Sequence, residues 1–257
     1  MNKTKTFREL HDGPQPLVLP CAWDYGSAAL LAEAGFPAIG TTSLGVAVAA
    51  GLPDATGATA DATMALARLL ARLPIPVTVD IEHGFSENPT EVGEFAAELA
   101  ELGIAGINLE DGRPESTLAA PDHQAELIAA VKANAPELFV NARVDTFWSV
   151  LDTDATVDRA ARYTDAGADG IYVPGLAIPD VIARLVAATP LPVNILHSPT
   201  GPSVAALADL GVRRVSMGSL LYRTALAAAV DTARAVRDNT PQPIDAPGYR
   251  QIQALTE

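Results

Sequence analysis

A chain of 257 residues with 17 Lys plus Arg against 31 Asp plus Glu carries a formal charge of −14, which excludes a general role on nucleic acid or an anionic membrane surface. Hydrophobic residues make up 49 % and aromatics only 5 %, a balance suited to closely packed alanine-rich helices rather than an aromatic-rich β-sandwich. The one cysteine, Cys21, excludes an intrachain disulfide and a cysteine-based zinc cluster; with no apolar run of spanning-helix or signal-peptide type, a cytoplasmic protein without membrane partners is expected.

After a polar start, Leu17–Pro20 reads as a strand, Tyr25–Ala34 as a helix stopped by Gly35, and Phe36–Gly40 as the second strand. The small-residue stretch Thr41–Asp54 reads as an elaborated loop. Thr59–Leu73 is helical, and Pro76 introduces a third strand, Val77-Thr78-Val79, whose rim carries Asp80, Glu82 and His83 before Gly84. Asn88 or Thr90 caps the helix Glu91–Leu102, and strand Ile104–Leu109 ends in Glu110-Asp111-Gly112. A polar loop, Arg113–Pro121, precedes helix Asp122–Asn134 and strand Leu138–Arg143. Helix Thr156–Ala166, strand Asp169–Val173, helix Pro179–Ala188, strand Leu191–Ile195, helix Ser203–Leu210, strand Val212–Met217 and helix Leu220–Arg237 complete the alternation.

Eight strand–helix units with short connections predict parallel strands closing as a (β/α)₈ TIM barrel, a single domain over residues 1–257 with 239–257 as a C-terminal tail broken at Pro241 and Pro243. A doubly wound open sheet is the alternative, but no Gly-x-Gly-x-x-Gly fingerprint follows the first strand.

In a barrel the C-terminal strand ends share one mouth. Those ends carry Trp23 and Asp24, Thr42-Ser43-Leu44, Asp80 with Glu82 and His83, Glu110 with Asp111, Arg143 with Asp145, and Asn194 with His197. An extended chain puts Asp80 and Glu82 on one side, and two such carboxylates repel unless a cation or proton intervenes. With Glu110 they make an oxygen-rich set suited to Mg²⁺ rather than zinc. Arg143 offers a fork matched to a carboxylate or phosphate. Metal plus arginine outlines a site for a small anionic 2-oxo acid or enolpyruvate-like substrate, with the cation stabilising an enolate as a neighbouring bond breaks. The plainer readings are that strand-end carboxylates cap the next helix, that Asp111 is structural, that Arg143 is an ion-pair partner, that His83 and His197 are satisfied rim histidines, and that Cys21 is an inert buried thiol.

Together these residues resemble the isocitrate lyase and phosphoenolpyruvate mutase superfamily over roughly Phe7 to Asp238. Leu19-Pro20-Cys21-Ala22-Trp23-Asp24 with Ser27-Ala28 is similar to the family's first strand and helix start, and Thr42-Ser43-Leu44 to its carboxylate-holding loop. Asp54 resembles the acidic residue after that loop, Asp80-Ile81-Glu82 the Asp-x-Asp metal motif, Glu110-Asp111 the Glu-Asp pair, Arg143 the arginine of Ala-Arg-x-Asp, and Asn194 the strand-seven asparagine of many lyases. The resemblance implies Asp80 as the direct Mg²⁺ ligand, Glu82 and Glu110 acting through metal-bound waters, and Trp23, Thr42, Ser43, Leu44, Asp80, Arg143 and Asn194 around the substrate. It also implies an eighth helix exchanged between subunits of a homodimer or homotetramer.

Two departures bear on the reaction. The loop Arg113-Pro114-Glu115-Ser116-Thr117-Leu118 lacks the cysteine and lysine of isocitrate and methylisocitrate lyases, and Pro174 stands where phosphonomutases carry a histidine. Proton-donor candidates are Ser116, Thr117, His83 and His197, and Arg143, Glu110 and Thr117 form the expected catalytic set. The expected function is a Mg²⁺-dependent lyase cleaving the C–C bond beside a 2-oxo carboxylate through an enolpyruvate-like intermediate. Phosphonomutase or phosphonopyruvate hydrolase chemistry and a non-catalytic oxo-acid-binding barrel are the alternatives.

Overall fold

The computed structural model describes residues 2–240 and 246–256. Helix α1 (Lys3–Glu9) starts on Asn2, whose side chain accepts from the Lys5 amide, and is followed by β1 (Leu17–Leu19) and β2 (Cys21–Ala22). These two short strands are halves of one extended segment divided at Pro20, which has no N–H to give. The Leu19 carbonyl accepts from Met217 and the next carbonyl, of Pro20, accepts from Gly40. Adjacent carbonyls thus serve opposite neighbours.

The chain then runs through α2 (Tyr25–Glu33), β3 (Ile39–Thr41), α3 (Ser43–Ala50), α4 (Ala60–Leu70), β4 (Val77–Asp80), α5 (Pro89–Glu101) and β5 (Gly106–Glu110). A small hairpin, β6 (Gly112–Arg113) and β7 (Thr117–Leu118), precedes α6 (Pro121–Asn134), β8 (Phe139–Arg143), α7 (Thr156–Asp165) and β9 (Gly170–Val173). The remainder comprises α8 (Pro179–Ala188), β10 (Val193–Leu196), α9 (Val204–Asp209), β11 (Arg214–Ser216), α10 (Leu220–Arg237) and α11 (Tyr249–Ala254).

The main sheet is ordered β1-β11-β10-β9-β8-β5-β4-β3-β2 with every pairing parallel. Since β1 and β2 are one segment, the nine pieces occupy eight positions, and β1 on β11 with β2 on β3 closes the (β/α)₈ barrel. A continuous core of Ile39, Val79, Ile107, Val140, Ile171 and Val215 joins the sheet to its surrounding helices.

Four segments differ from expectation. The polar start forms α1, whose Phe7 is fully buried edge-on to Phe139 at 5.3 Å, under the N-terminal end of the barrel; one buried residue in seven leaves almost no periodic signal. The expected loop Thr41–Asp54 contains α3, apolar on all sides and so without an amphipathic stripe, ended by Gly51 in the left-handed conformation. A β-carbon on Gly45 would lie 2.9 Å from Trp23 Cβ, so only glycine lets α3 pack this closely. The loop after β5 is a hairpin whose tip holds Glu115 and Ser116 at φ 61° and 56°. The second strand starts at Ile39 rather than Phe36.

Of the expected tail, residues 241–245, including Pro241 and Pro243, and Glu257 lie outside the described residues. Helix α10 buries only Tyr222 and Ala235 and exposes Leu226, Val230 and Val236. Among the described residues no helix is long and apolar enough to cross a membrane.

Candidate active site

Parallel register places Glu110, Arg143 and Tyr172 at one level on β5, β8 and β9, with Asp80 level with Asn108 on the neighbouring strand. All four of Asp80, Glu110, Arg143 and Tyr172 line a cavity of about 700 Å³ at the C-terminal mouth. Thr42, Ser43 and Leu44 from the start of α3, together with Asp54, form one side of the wall, and the hairpin tip, Trp148 and Arg223 form the rest.

Arg143 organises the floor. Its Nε and Nη2 donate to both Asp145 oxygens at 2.6 and 3.0 Å, Nη1 meets Glu110 Oε2 at 2.5 Å, and Nη1 lies 3.9 Å from Asp80 Oδ2. The bidentate face expected to grip a substrate is therefore occupied by Asp145, and Nη1 is engaged with Glu110. Tyr172 and Trp148 lie with ring centroids 5.8 and 6.0 Å from the guanidinium carbon.

Burial pushes the Asp80 carboxyl up to about 6 against the opposing pull of Arg143, and burial likewise raises Glu110 well above the ordinary carboxylate range. Two carboxyls that remain costly to ionise beside an arginine are short of positive charge. The three carboxylates around Arg143 hold its guanidinium charged.

Asp145 is itself held from below. Its amide donates to Asp111 Oδ1 at 2.8 Å, while Asp111 Oδ2 accepts from Arg159 at 3.0 Å and from Tyr163 at 2.7 Å. Arg159 also donates to the Ala119 carbonyl at the end of the hairpin. Asp111, wholly buried, thus has the structural role that the plainer sequence reading gave it.

Other expected site residues stand elsewhere. Glu82 does not continue the strand: at φ 50° its carboxylate swings to the Gly57 amide at 2.9 Å and Thr59 Oγ1 at 2.5 Å, outside the cavity wall. The same-side pairing of Asp80 and Glu82 is corrected accordingly. Among the described residues no three His, Cys, Asp or Glu side chains converge on a cation position. Asp80 and Glu110, both in the wall beside Arg143 Nη1, are a pair that fits Mg²⁺ because that ion takes one or two carboxylates and keeps waters.

Thr117 turns its hydroxyl to the Pro114 carbonyl at 3.0 Å and is not in the wall; Ser116 and Glu115 are. Asn194, 1 % exposed with both amide atoms unpartnered among the described residues, lies inside the barrel rather than in the wall. Trp23 packs edge-on to Tyr222 at 5.2 Å, outside the wall. His83 is buried behind Gly57, and His197 lines a smaller adjoining cavity. Burial raises the Cys21 thiol to about 11, as the inert reading requires. Wall residues outside the expected catalytic, substrate and metal set include Asp54 and Asp145, which the motifs had marked, and Trp148, Tyr172 and Arg223, which they had not. Tyr172 was discoverable as the residue level with Arg143, whereas Arg223, on the first turn of a helix, had no such signal.

Fold and site together define a TIM-barrel enzyme that assembles buried carboxylates and an arginine at the C-terminal mouth. The model of the phosphoenolpyruvate phosphomutase family matches residues 7–237, and the chain belongs to that family, within the isocitrate lyase/PEP mutase superfamily. It is 47 % identical over 251 residues to an uncharacterized protein of Mycobacterium tuberculosis, covering 97 % of this chain and 95 % of that one. It is 30 % identical over 250 residues to an oxaloacetate decarboxylase of Pseudomonas fluorescens, covering 92 % and 85 %. A phosphonopyruvate hydrolase solved with oxalate and Mg²⁺ superposes with a TM-score of 0.86 at 26 % identity, covering 100 % of this chain and 95 % of that one. The superfamily's members are lyases and mutases, and this chain is an enzyme of that type.

Proposed function

We propose that the protein is a Mg²⁺-dependent lyase that holds a small 2-oxo carboxylate and breaks the adjacent C–C bond through an enolpyruvate-like intermediate. The observation that carries this reading is Arg143 Nη1 at 2.5 Å from Glu110 and 3.9 Å from Asp80 in the floor of the cavity at the barrel mouth. Asp80 would hold the metal directly with Glu110 acting beside it, and the ion would supply positive charge to the oxo and carboxylate oxygens. Arg143, whose Nη1 binds Glu110, supplies positive charge to the substrate carboxylate, and Thr42, Ser43 and Leu44 line the same cavity. When the bond breaks, its electron pair remains on C3 of the enolate, the other fragment leaves as the electrophile, and a proton returns to C3. Ser116, not Thr117, is the hairpin hydroxyl residue in the cavity wall and is the candidate to return it. The assembly is a homodimer or homotetramer in which the exposed Leu226 and Val230 of α10 meet a neighbouring copy.

The test is a steady-state assay with Mg²⁺ against oxaloacetate, 2-methylisocitrate, isocitrate and phosphonopyruvate, reading pyruvate, succinate and phosphate. Pyruvate or succinate above an Asp80→Ala control is expected. Turnover no greater than that control would sink the reading, and phosphate release from phosphonopyruvate would move it to P–C chemistry. Against the latter stands Pro174, a residue that cannot carry a proton, in the wall.

A further inference from the structure

Below the floor of the active site the barrel interior is polar, where such interiors are ordinarily filled by branched apolar side chains. Asn108 and Asn141 precede Glu110 and Arg143 by two residues on β5 and β8 and so share their inward face. Arg214 comes from the far side. In the ring of strands β11 and β5 are four positions apart in either direction, yet Arg214 Nη2 donates to Asn108 Oδ1 at 3.3 Å. The side chain therefore crosses the barrel, and it is 1 % exposed.

Its guanidinium has no counter-charge at that position. Asn108 Oδ1 already accepts from Asn141 Nδ2 at 2.9 Å, and Arg214 Nε and Nη1 have no partner among the described residues. The Phe7 ring, with its centroid 5.7 Å from the guanidinium carbon, offers a contact worth much less than the cost of burying an unpaired charge. Burial accordingly pulls the guanidinium down to about 10, while the Cys21 thiol nearby stays neutral. Asn194 is the register partner of Arg214 on β10, and its amide nitrogen also lacks a partner among the described residues. Neither residue lines the substrate cavity.

We infer that Arg214 and Asn194 hold a halide-sized monovalent anion inside the barrel, apart from the substrate cavity, as the counter-charge of the guanidinium. Two guanidinium donors and an amide donor on adjacent inward positions suit such an ion. The layer is too tightly packed for a larger oxyanion: a β-carbon on Gly106 would lie 2.8 Å from the Phe139 carbonyl oxygen, and one on Gly170 would lie 2.9 Å from Asn141 Oδ1.

Thermal unfolding in sodium chloride or bromide, against sodium gluconate at one fixed ionic strength, tests this without reference to turnover. The wild type is expected to melt about 5–10 °C higher once the halide is in hundred-fold excess over its Kd. Arg214→Met loses that dependence. Asn194→Asp, which brings its own carboxylate to the guanidinium, loses it as well and decides the matter should Arg214→Met fail to fold. Anomalous scattering from wild-type crystals grown in sodium bromide is expected to show a peak beside Arg214 Nε and Nη1. Ordered water there instead, or a halide dependence equal in the wild type and Asn194→Asp, overturns the inference. A bromide peak with no halide dependence of melting is binding at crystal concentration only and overturns it too.

Discussion

Gly112 lies so close against Asp145 that a β-carbon at that position would overlap the carboxylate oxygen Oδ2. The first residue of the hairpin and the carboxylate that fixes Arg143 are thus a packed pair. Gly112→Ala must push Asp145 aside and free the guanidinium fork. Overpacking of this kind costs about 1–3 kcal/mol, and turnover is expected to fall at least as far as stability does. Thermal unfolding beside the kinetic assay checks this; a variant with unchanged kcat would show that the arginine keeps its place without Asp145.

Tyr163 reaches the same floor from helix α7 through Asp111. Tyr163→Phe deletes one of three donors to the Asp111 carboxylate and leaves the Arg159 bond. Loss of such a bond is worth about 1–2 kcal/mol, so kcat/KM is expected to drop roughly ten-fold with the fold intact. A loss confined to stability, with kcat/KM untouched, would show that the network does not reach Arg143.

His11 offers a pH test remote from the chemistry. Burial, then the nearby Arg214 charge, pushes its imidazole down from 6.5 to about 4. Its Nδ1 lies 2.8 Å from the Phe7 carbonyl, its ring stacks on Phe139, and Nε2 has no partner among the described residues. Between pH 6.5 and 4 the unfolded chain binds a proton that the folded chain refuses, so stability is fully present above 6.5 and lost as pH falls toward 4, by on the order of 3 kcal/mol. Denaturant melts at pH 7 and 5 are expected to differ less in His11→Phe than in the wild type. An equal difference in both proteins would reject the assignment.

The exposed face of α10 tests the assembly. Leu226 and Val230 lie four apart on one side of the helix, each about half exposed. Light scattering should find a dimer or tetramer for the wild type and smaller species for a Leu226→Glu, Val230→Glu double variant. A monomeric wild type would remove the assembly from the reading.

The barrel and the centre of its site were legible because both depend on simple periods. Strand ends carry Asp80, Glu110 and Arg143, and parallel pairing has to gather strand ends. What escaped depends on single dihedral angles and on depth. Glu82 follows the extended rule until φ 50° at that residue turns its carboxylate toward Thr59. Thr117 and Ser116 are neighbours in a polar loop, and only the left-handed hairpin tip decides which faces the cavity. Asn194 was expected near the end of its strand, but β10 runs to Leu196, so the asparagine sits a layer deeper. Helix α3 hid in a run of small apolar residues with no polar face to give it a period.

The divided strand at Pro20 has a bearing on how the molecule is made. Leu17 pairs with Arg214 and Leu19 with Ser216, so ring closure joins residues almost two hundred positions apart. Contacts of such separation form late, because a long loop must first be ordered. On the ribosome the first strand emerges early and stays half-paired, able to engage Gly40 through its second half while its first half waits for the last strand. Until residue 216 is made, Leu17–Leu19 lacks the β11 partner it has in the folded barrel and is an unpaired edge.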